Sequence, residues 1–290
     1  MFDSCPDVLD WVARQVPVIG NSAGSLKQAK DLSFFTLLDG LKIVHPAVQS
    51  NLPDKPEHWL SKRVGGYGGL HIRPAILNIT PHFENVYFQQ KAQGIPISML
   101  FVADGNVSKV IGFNQQLTAP MKNLPYCFAG AISNVILPPA VQKAFECAAI
   151  KLTSALGLRG ICSIDAILGD EDLWVLELNP RLSATFHLYE NLLPLHLQGC
   201  AGQLSNLPIK TTTSNAQLIL YADEAFGIAK DFAWPDWVAD RPTAASHDSS
   251  VRISPHAPIF SVLASAESAA LAYDLLFKRA KKLKKLLNLN

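Results

Sequence analysis

The amino-acid sequence predicts an α+β fold. Two pairs of apolar strands are each joined by a short turn-forming segment, an amphipathic stretch lies between the pairs, and strands and helices do not alternate regularly. That order excludes the repeated strand–helix–strand pattern of a parallel-sheet protein. With 290 residues, of which 49% are hydrophobic, the chain suffices for two modest domains or one large one.

Taken in order, residues 31–41 read as a helix, with Leu32, Phe34, Phe35, Leu37, Leu38 and Leu41 at helical spacing, a stop near Gly40 and Pro46 beyond. Residues 51–58 are a polar loop punctuated by proline. A strand over 59–64 runs into Gly65-Gly66-Tyr67-Gly68-Gly69, and a second strand, 85–90, leads through Lys91-Ala92-Gln93 to Gly94. Residues 97–103 and 107–113 flank Asp104-Gly105-Asn106, the chemistry of a tight hairpin turn. A helix is predicted over 140–156, stopped by Gly157, and a second hairpin over 161–168 and 173–178, around Gly169-Asp170-Glu171-Asp172. From Thr211 the chain reads as a smaller mixed region with a loop over 234–250 and a long helix over 264–287.

Composition narrows the function. Lys+Arg number 25 and Asp+Glu 24, a net charge of +1, so no general field attracts nucleic acid or an acidic membrane. Two charge-free windows, 123–142 and 191–209, approach spanning length. Pro125, Asn134, Pro138 and Pro139 in the first, and Pro194, His196 and Gln198 in the second, would leave polar groups unsatisfied in lipid. The first residues lack the basic and apolar regions of a signal peptide, so a cytoplasmic protein is expected. Cys5, Cys127, Cys147, Cys162 and Cys200 are scattered and odd in number, which suits reduced thiols rather than a disulfide frame or a zinc site.

The second hairpin carries the clearest chemistry. If Gly169 pairs with Leu173, Asp165 falls opposite Glu177, Asn179 shares that face, and Trp174, Leu176 and Leu178 point to a core. Directly opposed carboxylates destabilise a sheet by up to about 1 kcal/mol unless a positive charge sits between them. A hard divalent cation answers that cost, and Asp, Glu and Asn oxygens are suitable donors for Mg²⁺ beside a phosphate. Arg181, two positions on, is a planar donor suited to phosphate or carboxylate. Lys62 near a strand end, followed by four glycines in five positions, offers a point charge and accessible backbone N–H groups, although no Walker pattern is present. A polar hairpin face and a simple mobile turn are the plain structural alternatives.

Taken together, Lys62 with its glycine loop, the segment Tyr87-Phe88-Gln89-Gln90-Lys91-Ala92-Gln93-Gly94, and Asp165…Glu177-x-Asn179-Pro180-Arg181 resemble the ATP-grasp superfamily over residues 18–200. The leading segment Ile19-Gly20-Asn21-Ser22 and Pro46 also sit where that family's nucleotide-binding part begins. The resemblance implies two α+β lobes with antiparallel sheets gripping ATP. It implies that Lys62 contacts phosphates, that Gly65, Gly66, Tyr67, Gly68 and Gly69 close over them, and that Gln90 with the Lys91-Ala92 backbone meets the adenine. Asp165, Glu177 and Asn179 would hold Mg²⁺ or Mn²⁺, and Arg181, with Lys62 the catalytic pair, would stabilise the transferred phosphoryl group. Such enzymes phosphorylate a carboxylate and let an amine attack the acyl phosphate, so small-molecule acid and amine substrates are implied. A homodimer is compatible with the resemblance.

Within the superfamily the likeness is nearest to a group linked to tetrahydromethanopterin- and methanofuran-type cofactor biosynthesis. It rests on Leu158-Arg159-Gly160, the Glu177 to Ala184 stretch, and Pro258 to Ala264. Three positions depart from family patterns. Ile95-Pro96 stands where an acidic ribose ligand is common. Asp31-Leu32 stands in place of an Asp-Lys pair, with Lys30 one position early, and Thr185 takes the place of a glutamate used in carboxylation. These departures, and an N-terminal domain that the resemblance leaves largely missing, keep a non-catalytic ATP-binding or scaffold protein as the alternative. The expected layout is residues 1–46 as N-terminal remnant, 47–115 as small lobe, 116–210 as large lobe and 211–290 as C-terminal region. His71, His187 and His196 read as structural histidines near the candidate site, and the lysines after Lys278 as a solvated helix face.

Overall fold

Local hydrogen bonding at the start of the chain departs from the helical periodicity of the sequence. In the computed structural model, which describes residues 5–77, 85–119, 121, 124–170, 172–204, 213–243 and 250–289, three short helices come first. They are α1 (Pro6–Ala13), α2 (Ala23–Lys30) and α3 (Ser33–Gly40). Ser22 caps α2 by accepting the Ser25 N–H at 3.1 Å. The helix expected over 31–41 instead begins at Ser33, because Asp31 is extended (φ −91°, ψ 162°) and its Oδ1 accepts the Ser33 N–H at 2.9 Å. A side chain that satisfies a backbone donor in this way competes with a continuous helix.

A four-stranded sheet follows, built from β1 (Val48–Gln49), β2 (Trp59–Arg63), β3 (Arg73–Pro74) and β4 (Val86–Gln90) in the order β1-β4-β2-β3. The next elements are β5 (Ile95–Asp104), β6 (Ser108–Thr118), β7 (Phe128–Ser133), α4 (Pro139–Leu156), β8 (Arg159–Leu168), β9 (Leu173–Asn179) and α5 (Leu192–Cys200). The chain ends with β10 (Ser214–Tyr221), β11 (Phe226–Ala229), β12 (Val238–Ala239), β13 (Ser250–Ile253), β14 (Pro258–Ala266) and α6 (Ala269–Leu286). Eight strands form one large sheet in the order β12-β14-β10-β7-β6-β5-β8-β9, and β11 pairs with β13. Every pairing between described strands is antiparallel. The fold is therefore α+β, as the sequence predicts.

Two boundaries differ from expectation. The helix predicted from 264 starts at Ala269, since Ala264 and Ala266 are engaged in the β14 ladder opposite Ala216 and Ser214, and Ser268 caps α6 through the Leu271 N–H. The hairpin β5–β6, grouped with the small lobe from sequence, is hydrogen-bonded into the large sheet, with β5 beside β8 from Ile95 to Asp104. The expected loop over 234–250 contains β12. Its residues 244–249, Glu171 of the second hairpin turn, and the expected boundary at 210/211 lie outside the described residues.

The large sheet buries one face completely. Ile97, Met99 and Phe101 of β5 and Cys162, Ile164 and Ala166 of β8 pack with Phe145, Ala148 and Leu152 of α4 and with Phe34 and Leu38 of α3. At the C-terminal end α6 packs on β10 and β14 through Ala272, Leu276 and Leu283. On the other face, Tyr189, Leu192 and Leu195 cover Leu100, Val102 and Ile161. This leaves the part of that face around Asp165 uncovered by helix.

Leu152 is fully buried in the first of these cores. Leu152→Ala is expected to cost about 2–5 kcal/mol, read as a lower urea midpoint with an unchanged slope.

Candidate active site

The carboxylates meet as the spacing predicts, by a different route. Leu168, not Gly169, faces Leu173, and a β-bulge then accommodates Leu176 so that Ala166 faces Val175 while Asp165 faces Glu177. In a straight ladder Glu177 would share the face of Leu173 and Val175, which are buried in the core. The bulge turns it onto the open face. It also corrects the expected core positions. Leu178 is buried there, but Leu176 lines the cavity beside Glu177, and Trp174 lines a separate cavity.

Cations and an amide compensate the paired acids. Asn179 Nδ2 donates to Asp165 Oδ2 at 3.1 Å and to Glu177 Oε1 at 3.2 Å. Its Oδ1 accepts from Lys30 Nζ at 2.8 Å and from Arg181 Nη2 at 3.4 Å, and Lys30 Nζ lies 3.6 Å from Glu177 Oε2. Burial and the neighbouring Glu177 charge hold the Asp165 carboxyl well above the usual range. Burial would raise Glu177 as well, but Lys30, the hydrogen bond from Asp165, Lys62 and Asn179 pull it down to about 2. The two carboxyls are thus pushed in opposite directions, Asp165 up and Glu177 down.

Lys62 is only 6% exposed. Burial lowers it to about 8 against the opposing pull of Glu177 and Asp165. Directly opposite residues share a face, so Lys62, Tyr87, Leu60 and Gln89 lie on one side of the small sheet, and Lys62 and Tyr87 line the cleft. Gln89 is 1% exposed and its Nε2 has no hydrogen-bond partner among the described residues. Gln90, the expected adenine contact, projects from the other face, and its N–H is taken by the Ala47 carbonyl. The Lys91 N–H is taken by His58.

The glycine loop reaches across to the large sheet. The Gly68 carbonyl accepts the Phe128 N–H at 3.0 Å. Gly69 has φ +72°, and a Cβ there would collide with the Tyr126 carbonyl, so only glycine permits this approach. At Gly66 a Cβ would collide with the His71 ring, which burial lowers to about 4. Asn21 fixes the opposite wall. Its Nδ2 donates to the Arg159 and Pro180 carbonyls at 2.9 Å each, and its Oδ1 accepts the Arg159 N–H at 2.8 Å.

One cavity of about 440 Å³ gathers Lys62, Tyr67, Gly68, Gly69, Asp165, Glu177, Asn179 and Arg181, together with His71, Gln116, Thr118, Tyr126 and Phe128. Gly65 and Gly66 border a small adjoining pocket with Lys30 and Glu177. Gln90, Lys91 and Ala92 line a second cavity of about 470 Å³ with Pro46 and Trp174. Among the described residues no group of three or more His, Cys, Asp or Glu is placed to hold a metal. What the cleft offers a cation is two carboxylates and the Asn179 oxygen, and the Lys30 ammonium already contacts two of those three.

The model of the ATP-grasp domain matches residues 30–185, more than half of the sequence. The chain belongs to the ATP-grasp family. The structure has the ATP-grasp fold. The biotin carboxylase domain of Hydrogenobacter thermophilus 2-oxoglutarate carboxylase, solved with MgADP, ADP and bicarbonate, superposes with a TM-score of 0.73 at 12% identity, covering 94% of this chain and 70% of that one. An L-amino acid ligase from Bacillus licheniformis gives a TM-score of 0.73 at 12% identity over 96% and 77%. N5-carboxyaminoimidazole ribonucleotide synthetase from Thermus thermophilus gives 0.69 at 14% over 99% and 80%. No curated protein sequence matches the chain.

Lys30 is the residue of this ATP-grasp cleft that sequence reasoning set aside. The family match begins at this residue, and the break between α2 and α3 follows it. Lys62→Met removes a buried charge, so at neutral pH the ligand-free chain is expected to gain stability on the order of 3 kcal/mol. Below about pH 8 Lys62 is charged in both folded and unfolded chains and its full burial penalty applies. From about 8 towards 10.5 the folded chain releases its proton first, so wild-type stability rises and the advantage of Met fades. Denaturant titrations across this range check the sign.

Proposed function

We propose that the chain is an ATP- and Mg²⁺-dependent ligase that phosphorylates a small-molecule carboxylate and joins it to an amine. The observation that carries this reading is the convergence of Lys62 and Arg181 on the Asp165–Glu177 pair in a single cavity, with Lys30 reaching Glu177 and Asn179 from the adjoining pocket. Such a cleft is electropositive and suited to a polyanion. Solved neighbours of the same fold support it, one with MgADP and bicarbonate and one named as an amino acid ligase.

In this reading Lys62 meets the phosphates as a point charge, and Gly65, Gly66, Tyr67, Gly68 and Gly69 exclude water above them. The adenine lies along Gln90, Lys91 and Ala92, at the second cavity. Arg181 holds the carboxylate and then the acyl phosphate. Asp165, Glu177 and Asn179 would hold Mg²⁺ or Mn²⁺, which neutralises phosphate charge when bound. The chemistry is positioning and charge neutralisation, which needs no protein nucleophile. Thr185 in place of a glutamate favours an amine over bicarbonate as the second substrate. The sequence likeness at 158–160, 177–184 and 258–264 supports a product within cofactor biosynthesis of one-carbon metabolism.

Calorimetry with ATP and Mg²⁺, followed by ADP release over a panel of acids and amines, tests this reading; absence of both overturns it. Glu177→Ala and Lys62→Met are expected to weaken nucleotide binding at least about tenfold. Arg181→Ala should leave it within a few fold while lowering turnover by about 10²–10³. Asp165 must give up its proton to take a cation, so Mg²⁺ affinity is expected to rise with pH and binding to release protons. Titrations in buffers of differing ionisation enthalpy measure that release.

A further inference from the structure

Three spaces meet at one side chain that follows the glycine loop. His71 borders the main cavity with Lys62, Asp165 and Arg181, the adjoining pocket with Lys30, and a smaller cavity of about 130 Å³ with Lys62, Arg63 and Tyr67. None of the other residues lining these spaces borders all three. The loop backbone holds the ring from one side. A Cβ on Gly66 would stand 2.1 Å from the His71 Cγ, 2.3 Å from Cδ2 and 2.5 Å from Nδ1. These are the ring atoms nearest the loop, which leaves Nε2 and Cε1 as the outer edge. Nδ1 is shielded from solvent and has no hydrogen-bond partner among the described residues, although the ring as a whole is only half-buried.

Burial, with the Lys62 and Lys30 charges, lowers the imidazole to about 4 against the pull of Glu177 and the Tyr67 backbone. The Tyr67 carbonyl itself accepts the Leu70 N–H at 3.4 Å. A neutral imidazole has one N–H and one lone pair. A buried N–H without a partner is rarer in proteins than a buried lone pair, so the proton belongs on Nε2, at the outer edge. The order of groups along β2 says what arrives there. Trp59 faces Gln90, beside the second cavity, and Lys62 faces Tyr87 three residues on, about 10 Å away. The glycine loop follows from the Lys62 end, and His71 stands just beyond it. A nucleotide with its adenine at the Gln90 end therefore runs past Lys62 and brings its last phosphate to the loop. A neutral donor suits that place, because it adds a hydrogen bond without adding a third positive charge beside Lys30 and Lys62.

We infer that His71 holds the terminal phosphoryl group of the nucleotide, its Nε2–H donating to a phosphate oxygen from beside the glycine loop. The inference rests on the ATP reading above and names the side chain that tells a triphosphate from a diphosphate. Lys62 and Lys30 attract phosphate charge from a distance, whereas the ring, seated against Gly66, offers one donor in one direction.

The full chain is titrated by calorimetry with ADP and with the β,γ-imido analogue of ATP, each with Mg²⁺. The wild type is expected to bind both. His71→Phe keeps a ring against Gly66 and removes the donor. It should weaken the analogue about tenfold or more and leave ADP within about twofold. His71→Gln, whose amide nitrogen reaches the Nε2 position, should recover most of that loss. Equal loss for both nucleotides, which marks a ring that only supports the loop, overturns the assignment. So does loss for neither, or a Gln variant no better than Phe. Nitrogen-15 spectra of the wild-type His71 imidazole give a reading that does not depend on the folding of a variant. An Nε2–H tautomer near pH 7 whose signal moves with the analogue and not with ADP supports the role. An Nδ1–H tautomer, or a signal indifferent to the analogue, overturns it. A wild type that binds ADP but not the analogue overturns this inference alone, and one that binds neither overturns the ATP reading and this inference with it.

Discussion

Two carboxyl groups facing each other across β8 and β9 set the terms for the rest of the molecule. Like charges directly opposed in a sheet repel, and half-buried ones repel more strongly than in water. The fold answers with Lys30 from the end of α2, Lys62 from the small sheet and the Asn179 amide. Each of these groups comes from a different part of the chain. The acid pair is thus the point on which the helical segment, the small lobe and the large sheet converge, and its electrostatic demand explains why a lysine as buried as Lys62 is tolerated.

A buried glutamine amide without a partner among the described residues, a depressed lysine and a carboxyl held above its usual range are each costly in a closed protein interior. The glycine loop already bridges the two sheets through Gly68 and Phe128. At Gly66 and Gly69 of this loop a side chain would not fit.

Much of this was legible in the sequence. Strand alternation and turn spacing located Asp165, Glu177 and Asn179 on one face, and a lysine followed by glycines located the opposite wall. What could not be read depended on non-local or single-residue events. A bulge at Leu176 changes which side chains are buried without changing any residue type. The break at Asp31 brings Lys30 to the cleft, although the apolar pattern reads straight through it. Gln89 rather than Gln90 shares a face with Lys62 because it pairs with Leu60, a fact about a strand distant in sequence. The helix predicted from 264 began too early because small residues such as Ala264 and Ala266 fit a strand and a helix equally well.

Asn21 has a bearing on how the chain is divided. Its amide joins the start of β8 to the Pro180 carbonyl, between Asn179 and Arg181, and it lies ahead of the stretch that matches the family. The turn that aims Arg181 is therefore braced from outside the region usually taken as the functional unit. A fragment cut to the matched residues would keep every acidic and basic group of the cleft except their alignment. The segment around Asn21 thus supplies no charge to the site and acts on it as a brace.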